Sequence, residues 1–431
     1  MHGREILEAI VAKHPDSFPS VALLKNFEHF SALHDVVGGR WHHGWGSYLF
    51  NGQSYTYQAD TLRKQEALYK AAMGARNALE IGVYLGHSLL IMLIANPELK
   101  ITCIDCEAQF SGPAVEYLNK HFGNRVTFIC SDAVAAINAL PADTFDLVHV
   151  DADHVAPAVH AQMLASVRVA KEGATVVFDD YEAVRGTIDG FVRDGYLDKL
   201  YVPWCLWTNA VGKLVGKTAL GRTVAICQRY SALSVERLRN NIEMVQYVNA
   251  NGIEGDIVEA GIYKGGSMLA MMKAHEPVAK VFKRHFHLYD TFTGMTAPTE
   301  ADCDFTGKHA TTLIKEHENV LCICDLETVQ KTIRAHTSIP EADIEYHVGD
   351  ILQLKEFPEK IAVLRLDTDW YESTAFELAH FYDRVPSGGV VIIDDYGHWK
   401  GSRKAVDEFL ATHPGIELRK IDYTGVFFIK P

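Results

Sequence analysis

Two stretches of the chain carry the same series of carboxylates in the same order. Residues 151–154 read Asp-Ala-Asp-His and are followed by Asp-Asp at 179–180. Residues 367–369 read Asp-Thr-Asp and are followed by Asp-Asp at 394–395. Clustered carboxylates are the hard oxygen ligands that Mg²⁺ prefers, and their charges repel one another unless a cation or a proton offsets them. The pattern predicts a divalent metal site in each copy, with the ligands Asp151, Asp179 and Asp180 in the first and Asp367, Asp394 and Asp395 in the second.

Each predicted metal site has a further aspartate that suits the role of a base. A divalent ion would bind a substrate hydroxyl and lower its pKa, which prepares an oxyanion to attack a methyl group. Asp153 and Asp369 lie two residues beyond the first presumed ligand of their copy and could accept that proton. The alternative is that the paired aspartates only cap the segments that follow them.

A glycine-rich motif, Glu-x-Gly-x3-Gly-x-Ser, precedes each carboxylate series, at residues 80–88 and 259–267. Its spacing is not the Gly-x-Gly-x2-Gly of dinucleotide-binding folds, so it offers no well-built cradle for a pyrophosphate. A cationic sulfonium nucleoside suits a loop ringed by acids better. Each glycine alone could serve only a turn, and it is the repetition in register with the acids that indicates a cofactor loop.

Further acids extend the predicted cofactor site. Asp105 and Asp290 end the second predicted strand of their copy, where a carboxylate can accept hydrogen bonds from ribose hydroxyls. Asp132 and Asp350 end the third, near where an adenine would lie. The residues predicted to bind this sulfonium nucleoside are Glu80, Gly82, Gly86, Ser88, Asp105 and Asp132 in the first copy and Glu259, Gly261, Gly265, Ser267, Asp290 and Asp350 in the second.

The elements that must position these residues alternate between apolar strands and helices in both copies. Such alternation is typical of a doubly wound parallel sheet, whose ligands bind beyond the carboxyl ends of the strands. All of the acids named above follow predicted strands. The sequence therefore predicts an α/β protein with two tandem doubly wound domains. Its expected parts are an N-terminal helical and hairpin extension at 1–60, a first domain at 61–230 and a second at 231–431.

Four local features accompany this division. A hairpin is predicted over 46–57 with Asn51-Gly52 at its turn, and a late strand over 223–227 is expected to close the first domain. Ser234 is the expected N-cap of the helix that opens the second domain. Residues 291–338, rich in Thr, Asp and His, form an insertion without a counterpart in the first half, which we interpret as a substrate lid.

The composition narrows the class of protein. The formal net charge of −14 opposes binding to the phosphates of nucleic acids. No apolar run is long enough to span a membrane, and the first residues open no signal peptide. The scattered cysteines, including Cys103 and Cys106 in an apolar run, are interpreted as reduced structural thiols. We therefore expect a cytoplasmic enzyme with neither a nucleic acid nor a membrane as its partner.

The second half resembles the macrocin O-methyltransferase (TylF-type) family from about residue 235 to the end. The resemblance rests on several separated motifs in order, which are Val258-Glu259-Ala-Gly-Ile-Tyr, Asp290-Thr-Phe-Thr-Gly-Met295, Leu364-Arg-Leu-Asp367-Thr-Asp369, Gly388-Gly-Val-Val-Ile-Ile-Asp394-Asp395-Tyr-Gly-His398 and Asp422-Tyr-Thr-Gly425. That family methylates sugar hydroxyls of natural products, antibiotics among them, with S-adenosylmethionine and Mg²⁺.

The resemblance implies roles for particular residues. Asp367, Asp394 and Asp395 would be metal ligands, Asp369 the general base and His398 a second candidate base that could instead only position its loop. Glu259 and Asp290 would serve the cofactor. The family also implies a homo-oligomer, unless the fused domains replace one interface internally.

The first half resembles a broader class I methyltransferase group with an Asp-x-Asp-His motif, at Asp151-Ala-Asp153-His154. Its candidate catalytic residues are Asp153 and His154, but it lacks the Asp-Thr-Phe-x-Gly-Met sequence of the second half. The fold expected for both halves is the Rossmann-like class I methyltransferase domain.

Three functions follow from these patterns. The main one is a tandem, metal-dependent O-methyltransferase that acts on a glycosylated or otherwise hydroxylated small molecule, with two sites of methylation as a further option. In the second, only the C-terminal half is catalytic and the N-terminal half supports it. The third is a nucleotide-binding regulatory protein without catalysis, which the intact acid set argues against.

Overall fold

The computed structural model of the chain describes residues 2–36, 50–51, 56–57, 62–205 and 208–431. The chain divides into two units, Met1–Arg222 and Thr223–Pro431. Each unit has its own mostly parallel sheet with helices between the strands. The predicted pair of doubly wound α/β domains is confirmed.

The first unit places its extension before a sheet of alternating strands and helices. Its strands are β1 Phe50–Asn51, β2 Thr56–Tyr57, β3 Asn77–Ile81, β4 Lys100–Asp105, β5 Val126–Cys130, β6 Phe145–Val150, β7 Ala170–Phe178 and β8 Ala210–Lys213. Its helices are α1 His2–Lys13, α2 Phe18–Lys25, α3 Phe27–Val36, α4 Leu62–Met73, α5 His87–Ala95, α6 Ala108–Phe122, α7 Ala133–Ala139, α8 Ala156–Val169, α9 Tyr181–Arg193 and, reaching past Arg222, α10 Ala219–Gln228.

The second unit repeats the same series. Its strands are β9 Asp256–Ala260, β10 Phe286–Asp290, β11 Ile344–Val348, β12 Ile361–Leu366, β13 Val390–Ile393, β14 Arg419–Lys420 and β15 Val426–Ile429. Its helices are α11 Val235–Ala250, α12 Gly266–His275, α13 Ala310–Glu316, α14 Leu326–His336, α15 Tyr371–Phe381 and α16 Lys400–Thr412.

The two sheets share one topology. The strand order is β5-β4-β3-β6-β7-β8 in the first unit and β11-β10-β9-β12-β13-β15-β14 in the second. The last long strand of each, β8 or β15, runs antiparallel to its neighbour. In both sheets the chain order reverses beside the first long strand, β3 or β9, which is where a doubly wound sheet opens a crevice for ligands.

Apolar runs explain why these segments form central strands. Residues 361–366 are buried at every position, because helices cover both faces of a parallel sheet. The same holds for residues 174–178 at the end of β7. Ser234 caps α11, as predicted, since its hydroxyl accepts a hydrogen bond from the backbone N–H of Arg237 at 3.1 Å.

Two predicted features of the first unit are corrected. Residues 223–227 are not a late strand but belong to α10, because a run of four apolar residues after Thr223 fits either element and the preceding residues extend it as a helix. The strand that closes the sheet is β8 instead. In the hairpin, Asn51 pairs with Thr56 and so belongs to the strand rather than the turn, while residues 52–55 lie outside the described residues.

The part of the second unit without a counterpart is shorter than predicted. A Cβ on Gly265 would meet Val329 and Ile333 of α14, just as one on Gly86 would meet Ala114 of α6. Helix α14 therefore occupies the place of α6, and the true insertion ends before it. No helix among the described residues is long and apolar enough to cross a membrane.

Candidate functional site

In the second unit, the glycine loop runs directly against the end of β12. Gly261 has a φ of 87°, and a Cβ there would lie 2.0 Å from the carbonyl oxygen of Asp367. Only glycine fits a position with both a left-handed backbone and so close an approach. Gly265, with a φ of 85°, precedes the first turn of α12. The loop is thereby held against the strand end that carries the carboxylates.

Asp290 ends β10 and binds this loop through its carboxylate. One oxygen accepts hydrogen bonds from the backbone N–H groups of Ile262 and Tyr263, at 2.6 and 3.2 Å. The other accepts one from the N–H of Phe292 at 2.7 Å. Asp350 follows β11 and accepts from the N–H of Leu352 at 3.0 Å. Both carboxylates are held in fixed positions and retain lone pairs for hydroxyl or amino donors of a nucleoside.

Three of the predicted acids form a cluster at the ends of β12 and β13. Asp367, Asp369 and Asp395 each offer an oxygen, and these oxygens all lie within 4.8 Å of one another. Asp369 has a φ of 69°, and its carboxylate accepts a hydrogen bond from the indole N–H of Trp399 at 2.9 Å. The cluster therefore includes the predicted base and two of the three predicted ligands.

The remaining predicted ligand, Asp394, is held by two arginines. Its carboxylate oxygens accept hydrogen bonds from Arg365 and Arg237. Arg365 is fully buried and also donates to Glu259 and Asp367, at 2.7 Å in each case. Asp394 thus has its charge compensated by two arginines and Asp367 by one, whereas no salt bridge among the described residues involves Asp369 or Asp395.

Burial and mutual repulsion perturb the cluster. Burial, and then the neighbouring Asp367, raise the pKa of Asp369 to about 8. Burial, followed by Asp369 and Asp394, raises the pKa of Asp395 well above its usual range. A cation bound in this recess would reduce the repulsion between the carboxylates and lower their pKa values, because it favours their charged forms.

A cavity of about 440 Å³ joins the cofactor loop to this cluster. Glu259 and Gly265 are not among its lining residues; Glu259 is fully buried behind the loop. Burial raises the pKa of Glu259 to about 7 against the opposing effect of Arg365. The predicted site residues that line the cavity are Gly261, Ser267, Asp290, Asp350, Asp367, Asp369, Asp394, Asp395 and His398.

The insertion forms one wall of the cavity through residues 294–297, Thr299 and Cys322. The carbonyl oxygen of Thr296 accepts a hydrogen bond from the indole of Trp370 at 3.0 Å. The fully buried Asp302 accepts from the N–H of Tyr371 at 2.8 Å. These bonds join the insertion to the start of α15, which supports the interpretation of a lid above the carboxylates.

His398 lines the same cavity but is not part of the carboxylate cluster. Its Nδ1 lies 3.3 Å from the hydroxyl of Tyr423. Burial lowers the pKa of His398, so the ring is neutral near pH 7. A neutral imidazole could accept a proton or a substrate hydrogen bond.

The first unit also has a buried glutamate paired with a basic side chain beneath its glycine loop, but the basic residue is different. Glu80 is fully buried and pairs with Nδ1 of His149 at 2.8 Å, and Ser88 donates to its other oxygen. Glu80 pairs in register with His149, as Glu259 does with Arg365. His149 therefore stands where the second unit has its buried arginine.

The cofactor-loop residues of the first unit are also brought together. Gly82 has a φ of 90°, and a Cβ there would lie 2.3 Å from the carbonyl oxygen of Asp151. Gly86 precedes α5 with a φ of 76°. Asp105 accepts hydrogen bonds from the loop N–H groups of residues 83 and 84 at 2.9 and 3.0 Å. Asp132 caps α7 through the N–H of Ala135 at 2.8 Å.

A buried lysine occupies the carboxylate cluster of the first unit. The ammonium group of Lys64 lies 2.7 Å from the carboxylate of Asp179 and 3.9 Å from that of Asp180. Asp180 also pairs with Nδ1 of the half-exposed His154 at 3.1 Å. Asp153, the predicted base, is exposed. This cluster therefore differs from its counterpart, because one lysine faces both aspartates of the pair, whereas Asp151 groups with Glu80 and His149 instead.

Four residues that shape these sites were missed in the sequence. They are the cations Lys64, His149, Arg237 and Arg365. An arginine within the apolar strand at residues 361–366 was a readable signal, since a buried charge requires partners.

Each of the two units matches a known protein family. Residues 222–430 match the family described as macrocin-O-methyltransferase (TylF). Residues 79–181 match a family described as a methyltransferase domain.

Curated relatives agree with these matches. Demethyldecarbamoylnovobiocin O-methyltransferase of Streptomyces niveus is 31% identical over 206 residues, which are 46% of this chain and 75% of the relative. An 8-demethyl-8-(2,3-dimethoxy-alpha-L-rhamnosyl)-tetracenomycin-C 4'-O-methyltransferase of Streptomyces olivaceus is 33% identical over 206 residues, with the same coverage of both chains. Mycinamicin III 3''-O-methyltransferase of Micromonospora griseorubida is 30% identical over 207 residues, 46% of this chain and 78% of the relative.

Among solved structures, the O-methyltransferase NovP is 29% identical to this chain. The match covers 47% of this chain and 82% of NovP, with a TM-score of 0.41.

Proposed function

The chain belongs to the macrocin-O-methyltransferase (TylF) family and is an S-adenosylmethionine-dependent O-methyltransferase, and from this premise we propose the following assignment. The second unit methylates a sugar hydroxyl of a glycosylated natural product. It does so with Mg²⁺ or a similar divalent ion. The observation that carries the proposal is that one cavity joins the cofactor loop at Gly261 and Asp290 to the carboxylates Asp367, Asp369 and Asp395.

The residues present fit the nucleoside part of the cofactor. Asp290 is fixed by loop N–H groups and lines the cavity with lone pairs for two ribose hydroxyls. Asp350 follows the neighbouring strand β11 and lines the same cavity, where it could meet the adenine. The cavity volume of about 440 Å³ suits a ligand of this size with an acceptor beside it.

The residues also fit a divalent ion. Three carboxylate oxygens within 4.8 Å of one another are a donor set for a hard cation. Asp395 has a raised pKa, which a bound cation would lower. Asp394 extends the predicted ligand set, but it is already paired with Arg365 and Arg237. We therefore assign Asp367 and Asp395 to the ion and Asp369, the third member of the cluster, to the base beside it, with Asp394 as the residue that anchors the two arginines.

The chain's own groups divide the chemistry among them. When bound, S-adenosylmethionine supplies an electrophilic methyl group, and the ion supplies positive charge that acidifies the acceptor hydroxyl. Asp369, oriented by the indole N–H of Trp399, would accept the proton of the acceptor hydroxyl. Arg365 donates a hydrogen bond to Asp367 and so holds its carboxylate in position. The insertion, joined to Trp370, shields the cavity from water.

Sugar hydroxyls are the acceptor class that the relatives favour. By their names, one acts on the 4' position of a rhamnosyl tetracenomycin and another on the 3'' position of a mycinamicin. A sugar ring presents neighbouring hydroxyls that a metal-bound carboxylate cluster can bind and acidify. We extend this class to the present chain.

The Asp179–Asp180 pair of the first unit does not fit a divalent ion, and we propose that it holds none. Lys64 neutralises Asp179 and approaches Asp180, so a second cation there would meet a fixed positive charge. The first unit retains its cofactor loop at Gly82 and Asp105. This favours one metal-dependent site per chain over two, with the first unit either supporting the second or binding a cofactor of its own.

The test pairs matched aspartates of the two units. Asp395→Asn should reduce labelled-methyl transfer to a panel of glycosylated acceptors by about a hundredfold or more, because it removes a proposed ligand. Asp180→Asn, the same change at the equivalent place, should leave that transfer nearly intact. Equal losses in both variants, or full activity of Asp395→Asn without added metal, would reject the assignment.

Cofactor stoichiometry separates the two roles of the first unit. Calorimetry with S-adenosylmethionine and saturating Mg²⁺ should give one site that is lost in Asp290→Ala. A second site that is lost only in Asp105→Ala would mean that the first unit also binds the cofactor. In that case successive methylation at two positions becomes the mechanism to test.

A further inference from the structure

A second cluster of metal-binding side chains lies on the edge of the second unit's sheet, outside the catalytic cavity. His287 is on β10, and Glu345 and His347 are on the edge strand β11. The register pairs His287 with Glu345 and Tyr289 with His347, so these side chains share one face of the sheet. None of the three cluster residues lines the cavity that holds the acidic cluster.

The three donor atoms have the mutual spacing of ligands around one ion. Nδ1 of His287 lies 3.1 Å from Nε2 of His347 and 3.5 Å from Oε2 of Glu345. Nε2 of His347 lies 3.8 Å from the same carboxylate oxygen. A tetrahedral zinc ion with bonds near 2.0–2.1 Å holds its ligand atoms about 3.3 Å apart. The observed triangle matches that spacing without any movement of the backbone.

The surroundings of His287 supply the support that zinc ligands usually have. Its second nitrogen, Nε2, lies 3.3 Å from a carboxylate oxygen of Asp256. A carboxylate bonded to the far nitrogen of a ligand histidine fixes the ring and its tautomer. The His287 side chain is only 7% exposed, while that of Glu345 is 47% exposed. The site is therefore buried on one side and open to an ion from the other.

We propose that His287, Glu345 and His347 form a zinc-type binding site that is independent of methyl transfer. Two imidazoles and one carboxylate select a borderline transition metal over Mg²⁺, which prefers oxygen ligands alone. A water molecule, or Nδ1 of His285, which lies 3.6 Å from Glu345, completes the coordination. The ion ties β11 to β10 at the edge of the sheet.

Without an ion, the same atoms form a hydrogen-bonded chain from Asp256 through His287 to His347. A structural role for that chain and a metal site make different predictions. If the hydrogen-bonded chain has only a structural role, zinc should neither bind to these residues nor change the stability of the protein. The metal site requires a stoichiometric ion whose binding depends on both histidines.

The test is a titration of the chelator-treated 431-residue chain with Co²⁺. Saturating Mg²⁺ is present throughout, and binding is read by the visible absorption of tetrahedral cobalt. We expect one Co²⁺ per chain, displaced by Zn²⁺, and an increase in the thermal unfolding midpoint on Zn²⁺ addition. The catalytic cluster is excluded as the source if Asp395→Asn binds the same amount.

Variants assign the ligands. His347→Gln and Glu345→Gln should weaken Co²⁺ binding more than about tenfold, and Asp256→Asn by about tenfold as a positioning residue. His380→Gln, an exposed histidine bonded only within its own helix, is the matched control and should bind normally. Thermal unfolding without metal shows that each variant is folded. Absence of tetrahedral cobalt at micromolar concentration, or binding that persists in both ligand variants, would overturn the proposal.

Discussion

Lys64 and Arg237 are counterparts in the two units of this chain. Each is the third residue of the helix that leads into the first long strand of its sheet, α4 or α11. Each bonds the first aspartate of the Asp-Asp pair, Lys64 to Asp179 and Arg237 to Asp394. The units have therefore kept a cation at this place. They differ in what surrounds it, since the second unit adds Arg365 and leaves a separate carboxylate cluster beside it.

Removal of the Lys64 charge should destabilise the first unit. Lys64 and Asp179 side chains are each 7% exposed, so Lys64→Met leaves a buried carboxylate without its partner. The expected loss is about 3–5 kcal/mol in the free energy of unfolding, measured by urea denaturation. Lys64→Met combined with Asp179→Asn should recover most of it, because the pair is then replaced as a whole. An additive double-mutant cycle would contradict a direct interaction.

Arg365 should not tolerate replacement by lysine. Its guanidinium bonds Glu259, Asp367 and Asp394 at once from a fully buried position. A single ammonium cannot reproduce that planar arrangement. Arg365→Lys should lower the free energy of unfolding by about 3 kcal/mol and strongly reduce methyl transfer.

The matched control for Arg365 is a surface arginine. Arg403→Lys alters an exposed pair with Asp407 and should change the free energy of unfolding by less than about 1 kcal/mol. Comparable urea denaturation midpoints for Arg365→Lys and the unmodified chain would show that the three-way pairing contributes little.

Gly261→Ala tests whether the glycine loop is required for the cofactor. The added Cβ would lie 2.0 Å from the carbonyl oxygen of Asp367, and the φ of 87° is strained for alanine. S-adenosylmethionine binding to the second unit should be lost, as measured by calorimetry. Gly252→Ala is the control, because its φ is 63° but no atom lies within 4 Å of the new Cβ. It should cost about 1 kcal/mol of stability and leave binding unchanged.

Much of the fold could be predicted because its central strands have a recognisable sequence pattern. A buried parallel strand is an apolar run, and an acid or a glycine at its carboxyl end marks the ligand side of the sheet. The second strand of each sheet was predicted to end at Asp105 or Asp290, and each ends at that residue. The strand predicted over 223–227 was wrong, because its four apolar residues show no periodicity that separates a strand from a helix.

The candidate site could be predicted only in part, for a reason that lies in the chain's topology. Its acids follow strands and so can be placed from the sequence. Lys64 and Arg237 lie on helices more than a hundred residues before the aspartates they bind, and nothing in their local sequence points to a partner. Only the tertiary fold reveals which of the clustered aspartates each of these two cations binds.

His275 should make the second unit sensitive to mild acid. It is 1% exposed, and burial, with repulsion from Arg284, lowers its pKa to about 4. Its ring shares a hydrogen bond of 3.3 Å with the side chain of Asn249. Between pH 6.5 and 4, His275 binds a proton in the unfolded chain but stays neutral in the folded chain. Stability is therefore complete above pH 6.5 and falls as the pH falls through this window.

The expected loss from this residue is about 2 kcal/mol between pH 7 and pH 5. His275→Asn keeps a hydrogen-bonding amide but cannot titrate, so its free energy of unfolding should depend less on pH by that amount. Urea denaturation at the two pH values measures the difference, and His380→Gln, which changes an exposed histidine, should retain the full dependence. If His275→Asn and the unmodified chain lose the same stability on acidification, His275 is already protonated in the folded protein or its ring is solvated there.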